Sequence, residues 1–292
     1  MRSASASTTL TCYHPPMQVL IFGSNGYLGG YFRKLYPQAI TPRVDISNAT
    51  EVAEALDEYK PDVVINAAGK TGRPNVDWCE DHKEATFKSN TTGPQVLLDE
   101  CKKRGIYWVH LGSGCIYQGD NGGKGFSEED PPNFEGSTYS KSKSQADQFL
   151  KQYPDDVLVL RLRMPFDGTA EPRNLISKIS KYERVLDVRN SITYIPDFMK
   201  VAEQLIEKRA TGIYNVVNQG PISPYEIMQK YKEIVDPSHE FVRLTLDELG
   251  EVAKTGRSNC VLDSSKLEVE GIEMKTTEEA VREALEAMNN EE

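Results

Sequence analysis

The first sustained apolar run begins at position 17. There MQVLIFGSNGYLGGYF reads as a buried strand over 18–22, a glycine-rich turn and an amphipathic segment entering a helix. A helical stretch over 49–59 follows, then Pro61 and the run DVVINAAG, a buried strand ending in Asn66, Ala67, Ala68 and Gly69. A further helix, about 86–104, precedes the apolar run IYWVHLGSGCIY, and another starts near Ser137. Strands and helices that alternate in this way predict an α/β fold, a Rossmann-type doubly wound parallel sheet with a smaller C-terminal substrate-binding domain. The expected division is a leader without fixed structure over 1–16, a dinucleotide-binding domain over 17–165 to which 185–217 returns, and a cap built from 166–184 and 218–292.

Composition narrows the function classes. Apolar residues make up 38% and charged residues 27% of 292, an ordinary globular balance with chain enough for one large core or two unequal ones. A formal net charge of −10 argues against a nucleic-acid partner, which would call for a basic face. The five cysteines, Cys12, Cys79, Cys101, Cys115 and Cys260, are scattered with no CxxC pair, and none of the four histidines clusters with them. Neither a disulfide framework nor a metal site is expected. No apolar run approaches the roughly 18 residues that span a bilayer. The opening segment MRSASASTTLTCYHPP lacks the apolar core of a secretory signal, so no membrane partner and a cytoplasmic location are expected.

The glycines of the first turn, Gly23, Gly26 and Gly29, follow the spacing GxxGxxG between a strand and a helix. The first permits the tight turn, the second lets a pyrophosphate approach the backbone, and the third lets helix and strand pack closely. The amides of the new helix, with its dipole behind them, hold phosphate charge. Asn25, Tyr27 and Leu28 of the same loop, the small residues Ala67, Ala68 and Gly69 with Asn66, and Asn90 complete the expected cofactor contacts. Beyond the short second-strand region, Arg43 suits a ribose 2′-phosphate and favours NADPH, while Asp45 keeps NADH open.

At the carboxyl end of the 106–117 run stand Ser113 and Cys115, where open α/β sheets meet their ligands. Tyr139 and Lys143 follow in STYSKSK, four apart and so on one face of a helix. This is the reductase pair. The lysine ammonium is expected to lower the phenol from its ordinary value near 10 and to anchor the nicotinamide ribose. The tyrosine exchanges a proton with the substrate oxygen that Ser113 holds.

The segments NAAGKTGRPNVDWCE, GSGCIY, EEDPPNFEGSTYSKSK, RLRMPFDGTAEPRNLISKISKYERVLDV, GIYNVVNQGPIS and RSNCVLD resemble the nucleotide-rhamnose synthase/epimerase-reductases of plants and fungi, within the extended short-chain dehydrogenase/reductase superfamily. The match spans nearly everything after Met17; dTDP-4-dehydrorhamnose reductase and GDP-fucose synthase are more distantly similar. The resemblance implies a substrate, UDP-4-keto-6-deoxyglucose, that is inverted at carbons 3 and 5 and reduced at carbon 4 with NADPH to UDP-L-rhamnose. It also implies a partner 4,6-dehydratase that supplies the ketone, and leaves a homodimer open.

Epimerisation needs a base on one face and an acid on the other. Cys115, two residues beyond Ser113 on a strand, points to the same side and matches the cysteine base of GDP-fucose synthase; the alternative is a buried apolar cysteine. Lys178 falls where the plant epimerase-reductases carry an acid lysine; the alternative is an exposed helix lysine. Arg73, Asn75, Trp78, Arg163, Arg173, Asn174 and Arg257 are expected substrate contacts. Two other readings stand beside this one: a 4-reductase without epimerase activity, and a catalytically silent cofactor-binding regulatory subunit resembling the methionine adenosyltransferase β-subunit.

Overall fold

The computed structural model describes residues 17–73 and 75–290, so the expectation for 1–16, with Cys12 and His14, lies outside the described residues. Five strands, β1 (Val19–Phe22), β2 (Val63–Asn66), β3 (Tyr107–Ser113), β4 (Leu158–Leu162) and β8 (Gly212–Asn215), form one parallel sheet in the order β1-β2-β3-β4-β8. The helices between them are α1 (Tyr27–Leu35), α2 (Ala49–Tyr59), α3 (Trp78–Asp81), α4 (Lys83–Phe87), α5 (Gly93–Arg104) and α6 (Thr138–Leu150). Later come α7 (Leu175–Ile179), α8 (Ile195–Glu207), α9 (Pro224–Ile234), α10 (Ser265–Val269) and α11 (Thr277–Asn290).

Alternation along each strand divides the core. In β1, Val19 and Ile21 face one layer with Phe32 of α1 and Phe198 of α8, while Leu20 and Phe22 face the other with Leu56 of α2, Leu97 of α5 and Trp108. Side chains on a strand alternate faces, so a wholly apolar strand requires cover on both. The second strand of the expected unit is reduced to one bridge, Ile40 to Leu20, closed by Ile21 N to Ile40 O and Ile40 N to Val19 O, both 2.8 Å. Pro42 has no N–H to extend that ladder. The bridge lies on the side of β1 away from β2. The order therefore reverses at β1, and a cleft opens at the carboxyl ends of the strands there.

Three further differences have local causes. The helix expected over 86–104 runs from Lys83 with a π turn at Lys88–Thr92 ahead of α5. Pro94, at the start of α5, cannot donate to the preceding turn and widens it. The strand expected to continue through Tyr117 stops at Ser113. The segment β6 (Arg184–Leu186) does not return to the central sheet but pairs with β9 (Val242–Leu244); β8 takes the edge beside β4. A third core joins Phe166, Leu175, Ile176 and Val185 to Ile227 of α9 and Ala280, Val281 and Leu285 of α11. The pair β5 (Pro165–Phe166) and β7 (Thr193–Tyr194) stands between that core and the sheet. No helix of the described residues is long and apolar enough to cross a membrane.

Strand β4 carries Arg161, fully buried, with Nε and Nη2 donating to the two carboxylate oxygens of Asp147 on α6, each at 2.7 Å. Removing one partner of such a pair strands the other charge. Asp147→Ala is expected to lower stability by about 3–5 kcal/mol. A thermal unfolding midpoint within a degree of the parent would show that the pair carries no such weight.

Candidate active site

Three glycines set the floor of the cleft. Gly23 adopts φ +78°, and a Cβ there would lie 2.4 Å from Ala68 N; one on Gly29 would lie 2.1 Å from the Gly23 carbonyl oxygen. Neither contact can relax, because the opposing atoms are backbone. Gly26 precedes α1 with extended backbone and no capping side chain, which leaves the helix N-terminus open toward the cleft. Asn25 is exposed, and Leu28 turns its side chain onto the first core. The small residues Ala67 and Ala68 are thus dictated partly by packing on Gly23, as well as by any ligand.

Several expected cofactor contacts are spent within the protein. Asn66 is buried, donating to His110 Nδ1 (3.1 Å) and accepting from Ala68 N (3.1 Å); burial holds His110 neutral, well below the usual imidazole range. Asn90 accepts from Lys70 N at 2.7 Å and donates to Lys70 O and Ser142 Oγ, tying the loop beyond Gly69 to α6. Both therefore shape the cleft wall instead of reaching into it. Asp45 accepts from Ser47 and pairs with Lys88 at 3.1 Å, contacts that hold its carboxyl low, whereas Arg43 is exposed without an ion-pair partner among the described residues.

The catalytic set assembles where β3 meets α6. Ser137 caps α6 by accepting from Ser140 N, and Glu80 of α3 accepts from Thr138 N (2.7 Å) and Thr138 Oγ1 (2.8 Å). Two carboxylate bonds at the first turn fix the helix entry and aim Tyr139 at the end of β3. The Tyr139 hydroxyl donates to Ser113 Oγ at 3.3 Å, and Ser113 Oγ also accepts from Cys115 N at 3.2 Å. Lys143 is buried, with Nζ donating to Leu111 O at 2.9 Å; burial pushes it down to about 8.

One expectation is corrected here. The Tyr139 phenol is pushed up, first by burial and then by Cys115, where the sequence led us to expect it to be lowered. The lysine ammonium is turned to the Leu111 carbonyl. A phenol held protonated suits donation to a ketone oxygen, the direction that reduction needs.

Cys115, half-buried, accepts at Sγ from Arg163 Nη1, 3.2 Å away. Arg163 itself is 1% exposed and bonded to Ser258 and Asn190. Lys178 lies on α7 with its ammonium unpaired among the described residues; burial and then Arg257 lower it from its ordinary value. Asn174 is fully buried, capping α7, the helix that carries Lys178, through Ile176 N and donating to Asp167 and Thr169.

The loop over 70–78 is fastened from the far side. Arg257 makes a bidentate pair with Asp77 at 2.7 and 2.9 Å, which holds the Asp77 carboxyl low. Asn75 accepts from Asp77 N, and Trp78 stacks on His82 with ring centroids 3.8 Å apart. Arg257, Asn75 and Trp78 therefore fix this loop, while Arg73 is exposed at its tip. Arg173 pairs with Glu171 at 2.7 Å and lies 5.7 Å over the Tyr27 ring. Tyr27 donates to Asp167 at 2.7 Å, and Tyr31 donates to the same oxygen. Sequence reasoning missed Glu80, Asp77 and Asp167, because each acts on a residue far away in the chain. The two arginines in the apolar run LVLRLRM were the one signal available for the buried pairs.

A parallel dinucleotide-type sheet with Ser, Tyr and Lys converging at one strand end defines an oxidoreductase of the extended short-chain class, dependent on a nicotinamide dinucleotide. Within that class the chain belongs to the RmlD substrate binding domain family, which matches residues 17–290. It is 39% identical over 272 residues to the bifunctional dTDP-4-dehydrorhamnose 3,5-epimerase/dTDP-4-dehydrorhamnose reductase of Arabidopsis thaliana, covering 90% of each chain. It is 36% identical over 277 residues to the trifunctional UDP-glucose 4,6-dehydratase/UDP-4-keto-6-deoxy-D-glucose 3,5-epimerase/UDP-4-keto-L-rhamnose-reductase RHM1 of the same plant, spanning 91% of this chain and 41% of that protein. Among solved structures, the L780 UDP-rhamnose synthase of Acanthamoeba polyphaga mimivirus superposes with a TM-score of 0.89 at 31% identity, covering 93% of this chain and 99% of that one. The resemblance read from the sequence segments is borne out.

Proposed function

We propose that the chain is a bifunctional enzyme, a 3,5-epimerase and NADPH-dependent 4-reductase that converts UDP-4-keto-6-deoxy-D-glucose into UDP-L-rhamnose. The observation that carries this reading is Cys115 at the end of β3: its main-chain N–H donates to Ser113 Oγ, which also accepts from Tyr139, and its sulfur is close enough to act on the Tyr139 phenol. A reductase needs a proton donor at the ketone oxygen and no base; a base two residues along the same chain end serves the acidic hydrogens on the carbons flanking that ketone.

The glycine loop fits a dinucleotide, since Gly23 and Gly29 keep the turn tight against its own main chain and the N-terminus of α1 has no capping side chain. The exposed Arg43 and the engaged Asp45 support the phosphorylated form. When bound, the cofactor supplies the hydride for carbon 4. Ser113 and Tyr139 hold the carbon-4 oxygen and polarise the carbonyl. Cys115 takes the proton from one carbon beside the ketone, the electron pair moves onto the held oxygen and returns to that carbon as Lys178 protonates it on the opposite face; Cys115 then loses its proton to solvent and Lys178 regains one before the second carbon is inverted. Tyr139 then protonates the oxygen as carbon 4 is reduced, with Lys143 restoring the site's proton.

The same reading assigns 17–165 and the chain from β7 to 217 to cofactor binding, and 166–184 with β6 and 218–292 to the sugar nucleotide; the separate core that joins Val185 to α9 and α11 supports a cap. A 4,6-dehydratase is the functional partner that makes the ketone. The activities of the relatives support both UDP and dTDP, and the mimiviral and trifunctional ones favour UDP.

Incubation with UDP-4-keto-6-deoxyglucose and NADPH in deuterated water is expected to oxidise one cofactor per sugar and to give UDP-rhamnose labelled at carbons 3 and 5, read by mass and NMR. Reduction without label would leave a 4-reductase alone. The dTDP substrate run in parallel decides the nucleotide.

A further inference from the structure

Strand β4 and the residue just past it place two buried arginines on one side of the chain, and the two are provided for differently. Arg161 has its anion in Asp147, and its Nη2 and Nη1 add longer contacts to Glu128 O and Asn215 Oδ1, both at 3.5 Å. Arg163 has none. Its Nη1 donates to Ser258 Oγ at 3.0 Å and Cys115 Sγ at 3.2 Å, and its Nη2 donates to Ser258 O at 2.6 Å and to Asn190 Oδ1. Its Nε is buried without a partner. Every one of these acceptors is neutral except the thiol, which alone can become an anion.

A guanidinium cannot shed its charge, and a buried charge without a counter-ion is costly. Asn190 is itself locked in place, donating to Val188 O and Asn259 Oδ1 and accepting from Cys260 N. The cation is thus held at a fixed point by neutral dipoles and aimed at sulfur. The other titratable neighbours of Cys115 do not supply an alternative. Tyr139 of α6 and Cys260 of the C-terminal segment are both pushed up by burial and stay neutral; Lys143 of α6 also feels Cys115, but its Nζ donates to Leu111 O and not to the sulfur, so Arg163 is the cation in direct contact with it.

We infer that Arg163 is a positioning residue that makes the Cys115 thiolate the resting form, the sulfur anion serving as the counter-ion of the buried guanidinium. The inference deepens the reading of Cys115 as the epimerase base and rests on it. In the proton transfer the carbon–hydrogen bond breaks, the sulfur–hydrogen bond forms, and the electron pair passes to the carbon-4 oxygen held by Ser113 and Tyr139. The negative charge leaves sulfur in that step, so Arg163 ensures that the base is present and Ser113 with Tyr139 receives the charge it gives up.

Alkylation by iodoacetamide, resolved by peptide mass spectrometry at Cys115, tests this on the full chain without substrate. A free thiol near its ordinary value would react about 25-fold faster at pH 9 than at pH 7. The parent enzyme is expected to differ by less than about threefold between the two, since the thiolate is the reactive form and is already present at pH 7. Arg163→Met is expected to bring back the full pH dependence and Arg163→Lys to restore most of the reactivity at pH 7. Asn190→Asp, which offers the guanidinium a competing carboxylate, is expected to slow Cys115 at pH 7 and stands in if Arg163→Met does not fold. A parent enzyme with the ordinary 25-fold ratio, or an unchanged ratio in Arg163→Met or Asn190→Asp, overturns the inference. A thiolate in the parent with no deuterium at carbons 3 and 5 would sink the epimerase reading and leave the ion pair standing.

Discussion

Tyr139→Phe is expected to lower the rate of ketone reduction by about 10³-fold while deuterium exchange at carbons 3 and 5 falls by no more than about tenfold. Reduction builds negative charge on the carbon-4 oxygen and must end with a proton there. The phenol is the group placed to give it, donating to Ser113 across the end of β3 and kept protonated by burial. Exchange asks less of the same hydroxyl. It needs the oxygen held while a flanking carbon loses its proton, and Ser113 remains for that. Cofactor oxidation and NMR-detected exchange, followed in the same samples, separate the two. Equal losses in both would mean that Tyr139 positions the sugar and is not the proton donor.

Cys115→Ala has the opposite signature. Exchange at both carbons is expected to fall by about 10³-fold or more, since removal of a positioned base costs about 10²–10⁴-fold for the step it serves. Reduction of substrate already inverted at carbons 3 and 5 is expected to suffer far less. Alanine leaves the Ser113 and Tyr139 contact intact, although it also takes from Arg163 the one acceptor able to carry charge. Rapid exchange in Cys115→Ala would move the base elsewhere and return the cysteine to a packing role, the other reading its half-buried position admits.

Much of this could be read before any coordinates. The glycine spacing, the Ser113, Tyr139 and Lys143 order, and the wholly apolar strands are local patterns, because a βαβ turn and an i, i+4 helical pair are fixed by residues close in the chain. The part that the sequence left out was the set of partners that the polar side chains assigned to ligands have within the protein. Asn66, Asn90, Asn174, Arg257 and Arg163 are all polar residues near the cleft, yet each is occupied by a partner 20 or more residues away or, in Asn174, by the turn it caps. A buried polar group must find a partner, and the sequence does not say which distant segment brings it.

By itself, then, the sequence determined the parallel α/β sheet, the dinucleotide loop, the reductase pair and the presence of a thiol beside it, all features whose causes lie within a few residues of one another. Tertiary structure decided which arginine on β4 receives a carboxylate and which is left facing sulfur. It decided that Asp77 and Glu80 serve Arg257 and α6, and that the phenol sits high and not low. Those are matters of long-range proximity and burial, where the energy of a charge depends on what the fold places against it.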